Sequence, residues 1–266
     1  MKFDYRETSQ DLLQRIDIHQ KYGGRNIDDW MLGLLPLKAG QRILDAACGA
    51  GKQCFLYYDH LEGSADITGS DVSPELLNKA REKAAQTGAR IMFSEMDFNK
   101  AFPFETDEFD LVSCCFGIYY ATDIPFTISE MHRAIKPGGT LFTTGPMPTN
   151  KMVFYDIIKA ATSKPIPPMP GSSRYSTEIL STVKDNFAKV DLHIFENPLT
   201  FNEVEPFIDY TRASLSEDRK LWGDFFKDAD DFSATMEKIT HEAMRRLKQD
   251  GQLVMTKVVG GILATR

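Results

Sequence analysis

Twelve residues, from Gln41 to Lys52 (Gln-Arg-Ile-Leu-Asp-Ala-Ala-Cys-Gly-Ala-Gly-Lys), constrain this chain more than any others. Ile43 and Leu44 form a short apolar run of strand type, and Gly40 marks its start. Gly49 and Gly51 then make a turn in which glycine can take a positive φ or let a ligand approach the backbone. Gln53-Cys54-Phe55-Leu56-Tyr57-Tyr58 carries the chain away as a helix. A strand, a glycine turn and a helix N-terminus gather backbone N–H groups and the positive end of a dipole in one small space. That space suits a carboxylate or a phosphate. In an open α/β sheet such turns line a crevice at the carboxyl ends of the strands.

A dinucleotide-binding turn needs three glycines, G-x-G-x-x-G, so that pyrophosphate can sit on the helix. Here the third position is Cys54, and an acid, Asp45, stands four residues before Gly49. An anionic side chain at the strand end repels a pyrophosphate and attracts a cation such as an amino group. A second strand, Ala65 to Asp71, ends in another acid, where a carboxylate can accept hydrogen bonds from ribose hydroxyls. Asp71 could instead cap the helix that opens at Ser73-Pro74-Glu75, but Ser73 is placed to do that unaided. Gly88 ends this helix. The third strand, Arg90 to Glu95, leads into Asp97-Phe98, an acid beside an aromatic, which suits the amine and ring of adenine. Phe109 to Phe116 is nearly continuous in apolar residues, as a buried parallel strand should be. A helix from Pro125 to Ile135 then meets Lys136-Pro137-Gly138-Gly139, and a fifth strand runs through Leu141 and Phe142.

The spacing D-x-x-x-G-x-G over Asp45, Gly49 and Gly51, followed by Asp71, Asp97-Phe98 and the turn Ile-Lys-Pro-Gly-Gly-Thr-Leu, resembles the class I S-adenosylmethionine-dependent methyltransferases. It is similar in particular to their small-molecule group of the ubiquinone- and menaquinone-biosynthesis type. The likeness covers residues 41 to 145 well and 188 to 266 in outline. It implies an α/β fold, a Rossmann-like doubly wound sheet of seven strands, mostly parallel with an antiparallel last strand. A helical N-terminal arm and cap insertions accompany it. The implied cofactor is S-adenosyl-L-methionine. The implied contacts are Asp45, Ala47, Gly49, Gly51 and Gln53 at the first turn, then Asp71 and Val72, Asp97 and Phe98, Cys115, and Tyr22 of the arm. Trp30 shares that arm and either lines the pocket or packs the arm down. Tyr119 and Tyr120, at the exit of the fourth strand, become substrate contacts; the same pair could be ordinary packing.

Composition narrows the partners. The chain has 266 residues, enough to bury roughly three quarters of its unfolded surface without a disulfide or metal staple. Acidic side chains outnumber basic ones, 38 to 31, which argues against nucleic acid and for a small-molecule substrate. The cysteines are Cys48, Cys54, Cys114 and Cys115; no C-x-x-C pattern exists, so they read as small core or pocket residues in a reducing compartment. The N-terminal residues are polar, and no apolar run approaches the roughly 20 residues of a membrane span, so a cytoplasmic protein is expected. A metal-independent enzyme is expected, with a homodimer allowed.

Outside the core, residues 8 to 35 read as two helices broken at Gly23-Gly24, the first carrying Leu12, Leu13 and Ile16 and capped by Thr8 or Ser9. Residues 147 to 177 are rich in proline and methionine, with a short helix around Met152 to Ile158. A helix over 176–186, a strand over 188–197, helices over 200–213 and 218–227, a long helix over 233–249 capped at Asp231 or Ser233, and a strand over 253–265 follow. The whole is expected to be one methyltransferase domain. Its arm spans 1–37, its cofactor core 38–146, and its cap insertions 147–187 and 198–250. The expected reaction is methyl transfer to a small acceptor, apolar or aromatic, by in-line displacement, with His19, Tyr119 and Tyr120 as candidate bases. Two rivals stand beside it: a non-catalytic S-adenosylmethionine-binding sensor or partner subunit, and a nicotinamide-dependent oxidoreductase.

Overall fold

A computed structural model describes residues 9–167, 170–215, 222 and 225–266. The chain divides into two compact units. One gathers residues 1–26, 148–170 and 196–258; the other gathers 27–147, 171–195 and 259–266. The arm expected over 1–37 therefore parts at Asn26, its second helix going with the core.

The chain forms a seven-stranded sheet of order β3-β2-β1-β4-β5-β7-β6, of which β1 to β5 lie wholly in the larger unit. Its strands are β1 (Arg42–Ala46), β2 (Asp66–Asp71), β3 (Ile91–Glu95), β4 (Phe109–Cys115), β5 (Ile135–Pro146), β6 (Lys189–Phe201) and β7 (Leu253–Thr265). The first five pair in parallel, and β7 runs antiparallel to β5, with Phe142 opposite Leu263. The expected doubly wound sheet with an antiparallel last strand is thus present.

Helices cover both faces. On one lie α2 (Ile27–Leu34), α3 (Lys52–His60) and α4 (Pro74–Thr87), packed through Met31, Tyr57 and Leu77 onto Ile43, Leu111 and Phe142. On the other, α5 (Ile124–Ala134) and α8 (Leu180–Asn186) bury Ile128, Met131 and Val183 against Leu44, Val112 and Leu141. The local signals act as their chemistry requires. Ser73 caps α4 through Leu76 N, Pro74 opens it, and Gly88 closes it at φ 72°. Asp123 caps α5 by accepting from Phe126 N. Gly138 turns the chain at φ 76°, and the β4–β5 register shifts beside that turn, between Phe109 and Leu111.

The smaller unit holds α1 (Ser9–Tyr22), α6 (Met152–Thr162), α9 (Glu205–Leu215) and α10 (Ala229–Asp250) around Phe154, Phe201, Phe207, Tyr210, Trp222 and Ile239. Three expectations shift. The sixth strand runs on to Phe201, because Phe195, Asn197, Leu199 and Phe201 continue one buried face; Thr200 and Phe201 are therefore strand, not helix. The long helix starts at Ala229, since Asp228 and not Asp231 or Ser233 is its cap, accepting from Asp231 N at 2.8 Å. Residues 175–179 form a π-helical turn between the short α7 (Pro170–Arg174) and α8. The 218–227 helix falls largely outside the described residues, as do Thr8 and the side chains of Leu12, Leu13 and Ile16.

Candidate functional site

The site grows from β1 and the loop after it. Asp45 is 1% exposed, beneath that loop. The β1–β4 register sets Ser113 opposite it, and Ser113 Oγ donates to Asp45 Oδ1 at 2.7 Å. Cys54 Sγ of α3 reaches Asp45 Oδ2 at 3.6 Å. Burial pushes the Asp45 carboxyl up to about 7; the two hydrogen bonds oppose this, and the charge of Asp71 adds to it. Ala47 then takes φ 61°, a left-handed conformation that alanine adopts with strain, followed by Gly49 at 55° and Gly51 at 81°. Gly51 is the residue from which α3 begins. The first-turn N–H groups of that helix lack partners within it and point at the loop side.

Asp71 ties this loop down. Its Oδ2 accepts from Gly49 N at 2.8 Å, and its Oδ1 accepts from Ser73 N at 2.9 Å. Each carboxylate oxygen keeps a lone pair for a further donor. Beside it Val72 is 63% exposed, an apolar side chain open to a flat ring. The backbone of Asp71 accepts from Met96 N at 3.0 Å, which brings the exit of β3 alongside. There Asp97 accepts from the backbone and side chain of Asn99, both at 3.0 Å, with Lys100 at 3.4 Å. These contacts outweigh partial burial and hold the Asp97 carboxyl below its usual range. Phe98 is half-buried against the core.

Asn99 also joins this corner to the exit of β4, where its side-chain oxygen accepts from Thr122 N at 2.7 Å and Thr122 Oγ1 at 2.9 Å. Residues Ile118–Tyr120 make a single 3₁₀ turn, with the rings of Tyr119 and Tyr120 4.6 Å apart. Arg174 holds that turn by donating to Tyr119 O at 3.2 Å and Ala121 O at 2.8 Å. Cys115, half-buried at the end of β4 opposite Thr144, is kept a thiol by burial. Gln53 is buried, and its Nε2 has no hydrogen-bond partner among the described residues, a donor left over at the loop.

Asp45, Ala47, Gly49, Gly51, Gln53, Asp71, Val72, Asp97, Phe98, Cys115, Tyr119 and Tyr120 therefore all lie in the larger unit, at or just beyond the carboxyl ends of β1–β4. His19 and Tyr22 lie in the smaller unit, where His19 stands edge-on to Tyr210 and Tyr22 packs on Phe201. Burial and three neighbouring cations lower His19 to about 2, which makes it a weak base at neutral pH. Trp30 packs against Phe195 and over Gly261. Sequence reasoning missed Ser113, Asn99 and Arg174. The D-x-N spacing of an Asx turn could have flagged Asn99; Ser113 and Arg174 follow only from register and tertiary placement.

Residues 43–139 match the family model described as a methyltransferase domain. Curated relatives agree. Demethylmenaquinone methyltransferase of Thermus thermophilus is 35% identical over 117 residues, 44% of this chain and 52% of that protein. An uncharacterised Mycobacterium tuberculosis protein is 34% identical over 102 residues, 38% of this chain and 36% of that one. The chain thus spans about half or less of the length of these relatives. Among solved structures, the YcgJ protein of Bacillus subtilis superposes with a TM-score of 0.59 at 16% identity, over 90% of this chain and 97% of that one. Phosphoethanolamine N-methyltransferase 2 of Haemonchus contortus, solved with S-adenosyl-L-methionine, gives 0.55 at 18% identity, over 97% and 57%. The sheet, with its acid-bearing glycine loop at the carboxyl end of β1, is the doubly wound α/β fold. The methyltransferase-domain match covers that same loop and the strands β1 to β4 that carry the acids.

Two expected results follow from the loop. For Asp45, the folded carboxyl titrates near 7 and the unfolded one near 4, so between those values only the folded state holds the proton. This group's contribution to stability is complete below pH 4 and is lost as pH rises to about 7, by a few kcal/mol at most. Asp45→Asn should flatten the slope of stability between pH 4 and 7; urea midpoints with an unchanged slope would contradict the assignment. For Ala47, glycine relieves the left-handed strain at a smaller entropic cost. Ala47→Gly should raise stability by about 0.5–1 kcal/mol, and a lower midpoint would exclude strain at this residue.

Proposed function

We propose that this protein transfers a methyl group from S-adenosylmethionine to a small-molecule acceptor that is apolar or aromatic. The observation that carries the reading is the double tie of Asp71 to Gly49 and Ser73, which sets an acid with spare lone pairs beside a glycine loop. In this reading Asp71 accepts from the ribose hydroxyls, Val72 and Phe98 flank the adenine, and Asp97 accepts from its amine. Gln53 Nε2 and the first turn of α3 suit the carboxylate of the methionine part. Asp45, sealed below, acts on the amine through its field and not by contact.

The bound donor supplies a methyl already activated on a positively charged sulfur. What remains for the chain is to hold an acceptor roughly 3 Å from that methyl and in line with the sulfur. Tyr119 and Tyr120, on a turn braced by Arg174, are the residues we assign to that task. No base is assigned. The names of two relatives, the Thermus protein and the ubiquinone/menaquinone biosynthesis C-methyltransferase of Methylococcus capsulatus (29% identical over 131 residues), support an aromatic acceptor. Four unpaired cysteines support a cytoplasmic setting.

The test is a transfer assay with labelled donor on aromatic phenols and quinols beside aliphatic amines. Transfer to a phenol or quinol is expected. Transfer confined to aliphatic amines would overturn the acceptor class, and donor binding without transfer to any acceptor would favour a sensor.

A further inference from the structure

The smaller unit carries a basic cluster that the methyl-transfer site does not use. Arg15 and His19 lie one turn apart on α1, Lys151 sits just ahead of α6, and Lys257 lies on β7. His19 and Lys151 meet at Tyr210, and Arg15 and Lys257 lie close enough to His19 to act on its charge. The ring of His19 stands 5.6 Å from that ring, edge-on at 78°, and Lys151 Nζ lies 5.5 Å from its centroid. The same ammonium lies 5.4 Å from the ring of Phe154 and 5.9 Å from that of Tyr155.

Three features set this cluster apart from ordinary packing. Lys151 has no carboxylate within ion-pair distance among the described residues, although it is only half-exposed. Its backbone takes φ 59°, a strained conformation for lysine, pinned by Lys151 N donating to Thr256 O and by Phe154 N donating to Lys151 O. His19 Nδ1 is buried with no hydrogen-bond partner. Electrostatics agree. Burial, then Lys257, Lys151 and Arg15, depress His19 to about 2. Burial would also lower Lys151, but Tyr210 and Tyr155 more than offset it, so the lysine stays cationic. Arg15 and Lys257 have partners of their own and add charge. Half-buried positive charge with an unused polar atom is the environment of an anion site.

We propose that Lys151 and His19, supported by the charge of Arg15 and Lys257, bind the carboxylate or phosphate group of a small organic molecule, with the half-exposed ring of Tyr155 as a wall for its apolar part. The competing account is that the three rings alone satisfy the ammonium as a cation–π cage.

Titration calorimetry of the full chain with benzoate, and separately with inorganic phosphate, tests this without any methyl donor, so it stands or falls apart from the reading above. Saturable binding of benzoate alone assigns a carboxylate, and of phosphate alone a phosphate. Lys151→Gln should weaken whichever binds by roughly tenfold or more, while Lys159→Gln, an exposed lysine of α6, should not. Should Lys151→Gln fail to fold, the native protein still decides: an anion at Nδ1 must raise the His19 titration well above about 2, read by imidazole NMR. Absence of binding by both anions at millimolar concentration, equal affinity in folded Lys151→Gln, or an unmoved His19 would each overturn the site.

Discussion

Asp71→Ala is expected to weaken S-adenosylmethionine binding by about 2–4 kcal/mol, roughly thirty-fold to a thousand-fold. Two losses combine. In the proposed binding mode the ribose hydroxyls lose a charged acceptor, worth about 1.5–3 kcal/mol for such bonds. Gly49 N and Ser73 N lose the carboxylate that positions the glycine loop and the start of α4, so the loop must be ordered at the expense of binding. Asp71→Asn should fall between, because an amide oxygen can still accept from one of the two N–H groups but carries no charge. Calorimetric titration of both variants checks this. Equal affinity in the alanine variant would remove Asp71 from the site.

Gly145→Ala is expected to destabilise the larger unit by about 3 kcal/mol. A methyl at Gly145 would stand 2.4 Å from Tyr175 Cδ2 and 2.6 Å from Cγ, in rigid ring atoms. The ring cannot yield. Its hydroxyl donates to Thr143 O at 2.7 Å and accepts from Ile262 N at 3.2 Å, joining β5 to β7. Movement of the π turn would also loosen Arg174 from Tyr119 and Ala121, so methyl transfer should fall together with stability. Gly33→Ala is the control: nothing lies within 4 Å of its added carbon, and alanine in the interior of α2 should stabilise by about 0.5–1 kcal/mol. Denaturation midpoints distinguish the pair. An unmoved midpoint for Gly145→Ala would mean that the ring has room.

Between residues 41 and 146 the fold was legible because each signal is local. Buried parallel strands read as apolar runs, and Ser73, Gly88 and Gly51 punctuate them through conformations that few residues adopt. The positions of Asp45, Asp71 and Asp97 were legible for the same reason, each lying at or just past the end of a strand. Their partners were not. Ser113 meets Asp45 only because the β1–β4 register pairs them, and Arg174 reaches Tyr119 across 55 positions of chain. The start of α10 was misjudged because Asp228 and Asp231 both suit a cap, and the choice depends on which carboxylate meets a free N–H. The division into two units was beyond local reading, since each is assembled from three separated stretches. The cluster around Lys151 is hidden in the same way.

A crystal structure with S-adenosylhomocysteine bound tests the central claim most directly. The account predicts ribose hydroxyls within about 2.6–3.2 Å of the Asp71 carboxylate, with adenine against Val72 and its amine at Asp97. A nucleoside bound away from Asp71, or with its base on the far side of the glycine loop from Asp97, would contradict it.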